Sequence, residues 1–211
     1  MISAVIPAYN EEERIEEVLL ETNEFVDEIV VVDDASLDGT PRIACKHAEL
    51  MVNPKNFGYI ESLKKGFIRA NGDIIVTLDA DGEHDPSYIP KLVKPIQEGK
   101  ADLVFGSRNK IHRPSERLIS KLVRSKTGIY DTGTGFRALR SELAEKLELQ
   151  GYCTCGTLVL EALYQGAELA EVEAPTRTIK KPRDIAWQHI PQLFLVLKLL
   201  AGFGLKSYIK N

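Results

Sequence analysis

Two carboxylates separated by a single residue, Asp79-Ala80-Asp81, close a run of β-formers, Asp73-Ile-Ile-Val-Thr-Leu78, and open onto Gly82-Glu83-His84-Asp85-Pro86. Aspartates at this spacing, delivered by the end of a buried strand, can grip a hard divalent cation that keeps positions open for substrate phosphates. A second acidic cluster follows Glu28-Ile-Val-Val-Val32: Asp33-Asp34, then Asp38-Gly39-Thr40. Two hydrophobic strands thus bring acids to one sheet edge. In open α/β sheets that is the edge where ligands bind.

The elements that must position these acids follow from periodicity. Ile2–Ile6 reads as a short strand ended by Pro7, and Asn10 as a helix N-cap with Glu11, Glu12 and Glu13 in the first turn. Ile15, Val18, Leu19 and Phe25 form a helical stripe. Strands are expected at 29–32, 49–52, 74–78 and 102–105, with helices starting at Pro41, Tyr59 and Pro86 between them. Strand and helix alternate at the spacing of an α/β fold with a largely parallel sheet. Beyond Ser107 the rhythm breaks. Asn109 to Lys126 is basic and polar, and Thr132-Gly-Thr-Gly-Phe136 reads as a Gly-rich strand or turn. Helices at 141–147 and 157–165, a strand at 168–174 and an apolar helix from about 184 to 208 complete the chain.

The formal net charge of −4 leaves no basic surplus for a nucleic-acid backbone, so no nucleic acid is expected as partner. Three cysteines without framework spacing suit a reducing compartment. Cys153-Thr-Cys155 lacks both the Cys-x-x-Cys spacing and a second pair, and reads as packing thiols. The N-terminus enters a strand at once, without a basic n-region or cleavage pattern, which predicts a cytoplasmic protein.

The motifs together resemble the family 2 glycosyltransferases, and within them the dolichol-phosphate and polyprenol-phosphate mannose (hexose) synthases. The matching segments are Val5-Ile-Pro7-Ala-Tyr9-Asn-Glu11, Val30 to Thr40, Asn56-Phe-Gly58, Ala70-Asn-Gly-Asp73, Leu78 to His84, Ile89-Pro90, Phe105-Gly-Ser-Arg108, Asp131-Thr-Gly-Thr-Gly-Phe-Arg137 and Glu171-Val172. The resemblance implies an α/β fold, the glycosyltransferase A-type, Rossmann-like sandwich, over residues 1–183, with 184–211 as an apolar helical segment. It implies that Pro7, Tyr9 and Glu11 line the nucleoside and that Val32 and Asp34 face base and ribose. Asp79, Ala80 and Asp81 would meet the diphosphate. The metal, Mg²⁺ or Mn²⁺, would sit on Asp79 and Asp81 with Glu83 at a third position, where synthases commonly have Gln. Arg108 would lie by the sugar, and Arg177 and Arg183 would grip phosphates.

This chemistry explains the residue types. The leaving nucleoside diphosphate gains negative charge, which a divalent cation on Asp79 and Asp81 together with Arg177 and Arg183 would offset. In-line attack would invert the anomeric centre. A phosphate acceptor is already anionic and needs no general base. Arg117 and Arg124 are candidates for holding it, with Asp131 nearby. The expected reaction therefore moves a hexose from GDP-mannose or a UDP-sugar to a polyprenyl or dolichyl phosphate. A glycan or small polar acceptor is the alternative. A sugar nucleotidyltransferase fits less well, because the loop Pro7-Ala-Tyr-Asn-Glu-Glu12 is acidic and lacks glycine. An inactive binding module fits poorly with intact site residues. The stretch Ile190 to Leu205, interrupted by Gln192 and Lys198, is too broken for a spanning helix. It suits a helix lying peripherally on the cytoplasmic membrane face, with Trp187 at headgroup level, or the surface of a homodimer.

Overall fold

The computed structural model describes residues 1–111, 113–178 and 189–209, apart from the side chains of 203–209. Seven strands form one sheet: β1 (Ile2–Ala8), β2 (Glu28–Asp33), β3 (Glu49–Val52), β4 (Ile74–Thr77), β5 (Leu103–Ser107), β6 (Arg137–Arg140) and β7 (Leu169–Glu173). Their order is β3-β2-β1-β4-β6-β5-β7. β6 alone runs against the others, paired antiparallel with both β4 and β5. The sheet is thus mostly parallel, as the alternation of elements predicts.

Helices cover both faces, as a mostly parallel sheet requires. Alternate strand residues point to opposite sides: Ala4, Ile6 and Val76 join the core under α1 (Ile15–Thr22) and α4 (Ile89–Gln97). Val5, Ile75 and Phe105 join the core under α3 (Tyr59–Arg69), α5 (Pro114–Thr127) and α7 (Thr157–Tyr164). Short helices α2 (Thr40–Ala44) and α6 (Ser141–Ala144) bridge strands. The last helix, α8 (His189–Ile209), packs on α5 and α7 and buries Val196 completely. Its opposite side exposes Ile190, Phe194 and Leu197. No described helix is long and apolar enough to cross a membrane. Trp187 lies outside the described residues.

One local expectation changes, and two open ones are decided. Asn10 does not cap α1, which begins at Ile15. It adopts φ 56°, and its side-chain oxygen accepts from the Leu37 amide at 2.8 Å, so it ties two loops together. The basic stretch after Asn109 contains the 14-residue helix α5. The segment 132–136 is a turn, and the strand follows it as β6.

Candidate functional site

The six parallel strands carry their C-terminal ends to one edge of the sheet, and β1, β2, β4 and β5 deliver the site residues there. The chain leaves β1 toward β2 and β3 on one side and toward β4 on the other, which opens a crevice at the switch point. A cleft of about 1290 Å³ lies there. Its wall includes Pro7, Tyr9 and Glu11 after β1, Asp34 after β2, Asp79, Ala80, Asp81, Glu83 and His84 after β4, and Arg108 after β5. Across it stand Arg113, Glu116, Arg137 and the loop 148–154.

The acidic pair is positioned by its neighbours. Asp81 Oδ1 accepts from the Glu83 amide at 3.0 Å. His84 Nε2 lies 3.3 Å from Asp79 Oδ2 while its ring stacks on Phe136. Gly135 makes this possible: a Cβ there would collide with the Asp79 carboxylate. The room that Gly135 leaves is therefore filled by the protein's own metal-type ligand. Asp79 is half-buried and Asp81 nearly buried, and both offer hard oxygen donors of the kind magnesium and manganese take. Glu83 reaches the same wall, yet the three carboxylates do not converge as a three-ligand cluster. Among the described residues such a cluster occurs only at Cys153, Cys155 and His189.

Asp34 has a structural task as well as a place on the wall. Its carboxylate accepts from Asn53 Nδ2 at 2.7 Å and from the Phe57 and Gly58 amides at 2.9 and 2.7 Å. It thereby fixes the loop that starts α3. The neighbouring Val32 is fully buried inside β2 and is not part of the cleft wall.

Arg108 is committed to carboxylates. Its Nε and Nη2 pair bidentately with Asp131 at 2.7 and 2.8 Å, and Nη2 also reaches Glu116 at 3.0 Å. Burial works against the guanidinium charge. The hydrogen bonds and charge of Asp131, then those of Glu116, outweigh it and raise the Arg108 pKa above its ordinary value. Asp131 is completely buried and absent from the cleft wall. Removing it would strand a buried charge. Asp131→Ala is expected to destabilise the protein by about 3–5 kcal/mol. Urea denaturation measures this, and a loss below about 1 kcal/mol would show that Glu116 alone satisfies Arg108.

The remaining basic candidates are spread out. Arg177 bonds Glu21 at 2.8 Å and lies 3.3 Å from Asp85, outside the cleft wall. Arg183 lies outside the described residues. Arg117 Nε is held by the Ile111 carbonyl at 2.6 Å, and Arg124 stacks over Tyr130. Neither lines the cleft.

Two other arginines do. Arg137 is 1% exposed, and its Nη2 donates to Thr154 Oγ1 at 2.6 Å. Its Nε and Nη1 have no hydrogen-bond partner among the described residues, and the same holds for Arg113 Nη2. An unsatisfied buried guanidinium costs free energy until an anion meets it. The half-buried Tyr59 lies near the same point. Burial raises its pKa most and the Asp79 charge adds to the rise, while the Arg137 charge and a hydrogen-bonding interaction with the Arg137 side chain oppose it. Sequence reading missed these arginines. The one available signal was that Arg137 ends the Gly-Thr-Gly-Phe turn, directly before two apolar residues.

Comparison with known proteins shows the family of the chain. The model for Glycosyl transferase family 2 matches residues 3–156. The uncharacterized protein MJ0544 of Methanocaldococcus jannaschii is 31% identical over 91% of this chain and 99% of its own length. Dolichol-phosphate mannosyltransferase of Pyrococcus furiosus is 32% identical over 82% of this chain and 55% of its own. An undecaprenyl-phosphate 4-deoxy-4-formamido-L-arabinose transferase of Shewanella sediminis is 32% identical over 69% of this chain and 50% of its own. The chain thus spans about half the length of these two transferases. Among solved structures, glucosyl-3-phosphoglycerate synthase of Mycobacterium tuberculosis shares the fold. Its phosphoglyceric acid complex gives a TM-score of 0.82 at 24% identity, covering 94% of this chain and 79% of that one. Its uridine-diphosphate complex gives 0.78 at 25% identity, covering 96% and 79%. By the family match over most of its length, this chain is a member of glycosyl transferase family 2.

Proposed function

We propose that the protein moves a hexose from a nucleoside-diphosphate sugar to a polyprenyl phosphate. The observation that carries the acceptor half is the buried Arg137, which belongs to the same cleft wall as Asp79 and Asp81 and whose Nε and Nη1 make no hydrogen bond in the resting structure. Pro7, Tyr9, Glu11 and Asp34 border the end of the cleft nearest β1 and β2, where the nucleoside would bind. Asp79 and Asp81 would hold Mg²⁺ or Mn²⁺, which when bound neutralises charge on the departing diphosphate. Arg137 and Arg113 would hold the acceptor phosphate and aim its oxygen at the anomeric carbon. Arg177 and Arg183 would meet the diphosphate only if the chain after β7 turns them toward the cleft. Asp131 is engaged by Arg108, so it is poorly placed as a base for a hydroxyl acceptor. The names of the two polyprenyl-phosphate transferases among the relatives support the lipid acceptor. The exposed Ile190, Phe194 and Leu197 on α8 support it too, as an apolar face that suits a membrane surface.

The test is a transfer assay with labelled GDP-mannose, UDP-glucose and UDP-N-acetylglucosamine, each offered a short polyprenyl phosphate, a phosphorylated small acid or an oligosaccharide. Transfer to the lipid phosphate that needs Mg²⁺ or Mn²⁺ is the expected result. Transfer to the oligosaccharide alone would replace this reading with the glycan acceptor.

A further inference from the structure

On the acceptor side of the cleft, three soft ligands meet that the transfer reaction does not use. The chain leaves the short strand–helix unit at 137–144, passes through Gly151, and turns at Cys153-Thr154-Cys155 before α7. The first turn of α8 lies against this loop. His189 is 3% exposed, and its Nε2 faces Cys155 Sγ at 4.0 Å. The ligand atoms of Cys153, Cys155 and His189 all lie within 4.8 Å of one another. Around a tetrahedral zinc ion, with Zn–S about 2.3 Å and Zn–N about 2.0–2.1 Å, ligand atoms stand about 3.7 Å apart. Small side-chain rotations close that gap.

We propose that Cys153, Cys155 and His189 bind a thiophilic divalent ion of the zinc type, fastening α8 to the cleft wall. The surroundings are built for it. Ser115 Oγ lies 2.7 Å from His189 Nδ1. With the proton on Nδ1 donated to Ser115, the Nε2 lone pair turns to the thiols, the arrangement in which metal-bound histidines are held by an outer partner. One turn along α8, the buried Gln192 sets the backbone of the cysteine loop. Its Nε2 donates to the carbonyls of Cys153 and Cys155 at 2.8 and 3.1 Å and to Thr157 Oγ1 at 3.1 Å. Its Oε1 accepts from the Tyr152 amide at 3.1 Å. Gly156, at φ 75°, has no room for a Cβ against Ile119 and Val196, so α5, α8 and the loop close tightly around the ligands.

The half-buried Cys153 lines the cleft, which leaves space for a water as fourth ligand. The hydrogen bond from Cys155 draws the Cys153 thiol pKa down and pushes that of Cys155 up, and burial adds to the rise at Cys155. Binding would release both thiol protons to solvent, so affinity would fall as pH falls. The two metal-type sites differ in kind: Asp79 and Asp81 offer hard oxygens, this cluster soft sulfurs. Magnesium at the first would not displace zinc from the second.

The reduced, chelator-treated full chain would be titrated with Co²⁺ in excess Mg²⁺. One equivalent of Co²⁺ is expected to produce thiolate-to-cobalt charge-transfer absorption, and one equivalent of Zn²⁺ to bleach it. The band should vanish in Cys153→Ser and Cys155→Ser and persist in Cys45→Ser, whose exposed thiol is remote in sequence and fold. Ser115→Ala, a mild change, should weaken cobalt binding by about 10–100-fold through its hold on His189. Absence of a thiolate band in the folded wild type would overturn the proposal. So would a band unchanged in both the Cys153 and Cys155 variants. Neither outcome depends on which sugar or acceptor the enzyme uses.

Discussion

Asparagine at position 81 is expected to abolish metal-dependent stabilisation by nucleoside diphosphates and to lower sugar transfer by about 10²–10³-fold. The substitution keeps the shape of the side chain. Its carbonyl oxygen can still accept from the Glu83 amide, the bond that Asp81 Oδ1 makes at 3.0 Å, so the turn after β4 should survive. What is lost is one of two negative charges available to a divalent cation. In thermal shift, a nucleoside diphosphate with Mn²⁺ at one hundred times its dissociation constant should add about 2.7 kcal/mol to the wild type and nothing to Asp81→Asn. A second variant reaches the site without changing any charge. Gly135→Ala puts a methyl group where the Asp79 carboxylate now sits, and that half-buried side chain can yield only by swinging away. It should weaken the metal–nucleotide complex in the same direction. An Asp81→Asn protein that keeps the full metal-dependent shift would remove Asp81 from the metal site and leave the donor half of the mechanism without its anchor.

Strong periodicity made the first half of the chain legible. β1, β2, β4 and β5 fall close to where the patterns put them, because each is a run of residues buried on both faces, and α3 and α4 carry stripes buried on one face. The acidic pair was legible for a related reason. Two aspartates directly after a buried strand have few structural uses, and the parallel sheet carries them to the edge where strand ends meet.

The second half hid its elements behind charge. β6 is four residues long and begins and ends in arginine, so only Ala138 and Leu139 signal a strand. α5 carries Ile119 and Val123 toward the core, but among four lysines and arginines between Arg117 and Lys126 its stripe is diluted. Tertiary pairing was invisible for a different reason. His189 lies 34 residues from Cys155, and nothing local marks it as a partner. Asn10 followed by three glutamates has the look of a capped helix start. The competing demand, a side chain that bridges to the Leu37 amide, is made by a loop 27 residues away. In each case the missing information was a contact between distant segments.

The same reasoning makes Arg137 the sharpest test of the acceptor site. A guanidinium at 1% exposure that bonds Thr154 through Nη2 and leaves Nε and Nη1 without a hydrogen bond is a poor stabiliser of the resting fold. Burying it forfeits hydration that the surrounding protein only partly returns. Arg137→Met keeps the length and apolar stem of the side chain and removes the charge. It loses the Thr154 bond but also the desolvation penalty, so stability should stay within about 1 kcal/mol of the wild type. Activity should behave differently. If the free N–H groups receive the acceptor phosphate, transfer to polyprenyl phosphate should fall by about 10²–10³-fold, while nucleotide-induced thermal shift stays intact. Arg137→Lys should recover little, since an ammonium cannot reproduce the planar two-donor face that a phosphate meets. The opposite pattern, a protein destabilised by 3 kcal/mol or more with transfer undiminished, would make Arg137 a structural residue. The acceptor phosphate would then have to be held by Arg113 or by residues beyond those described.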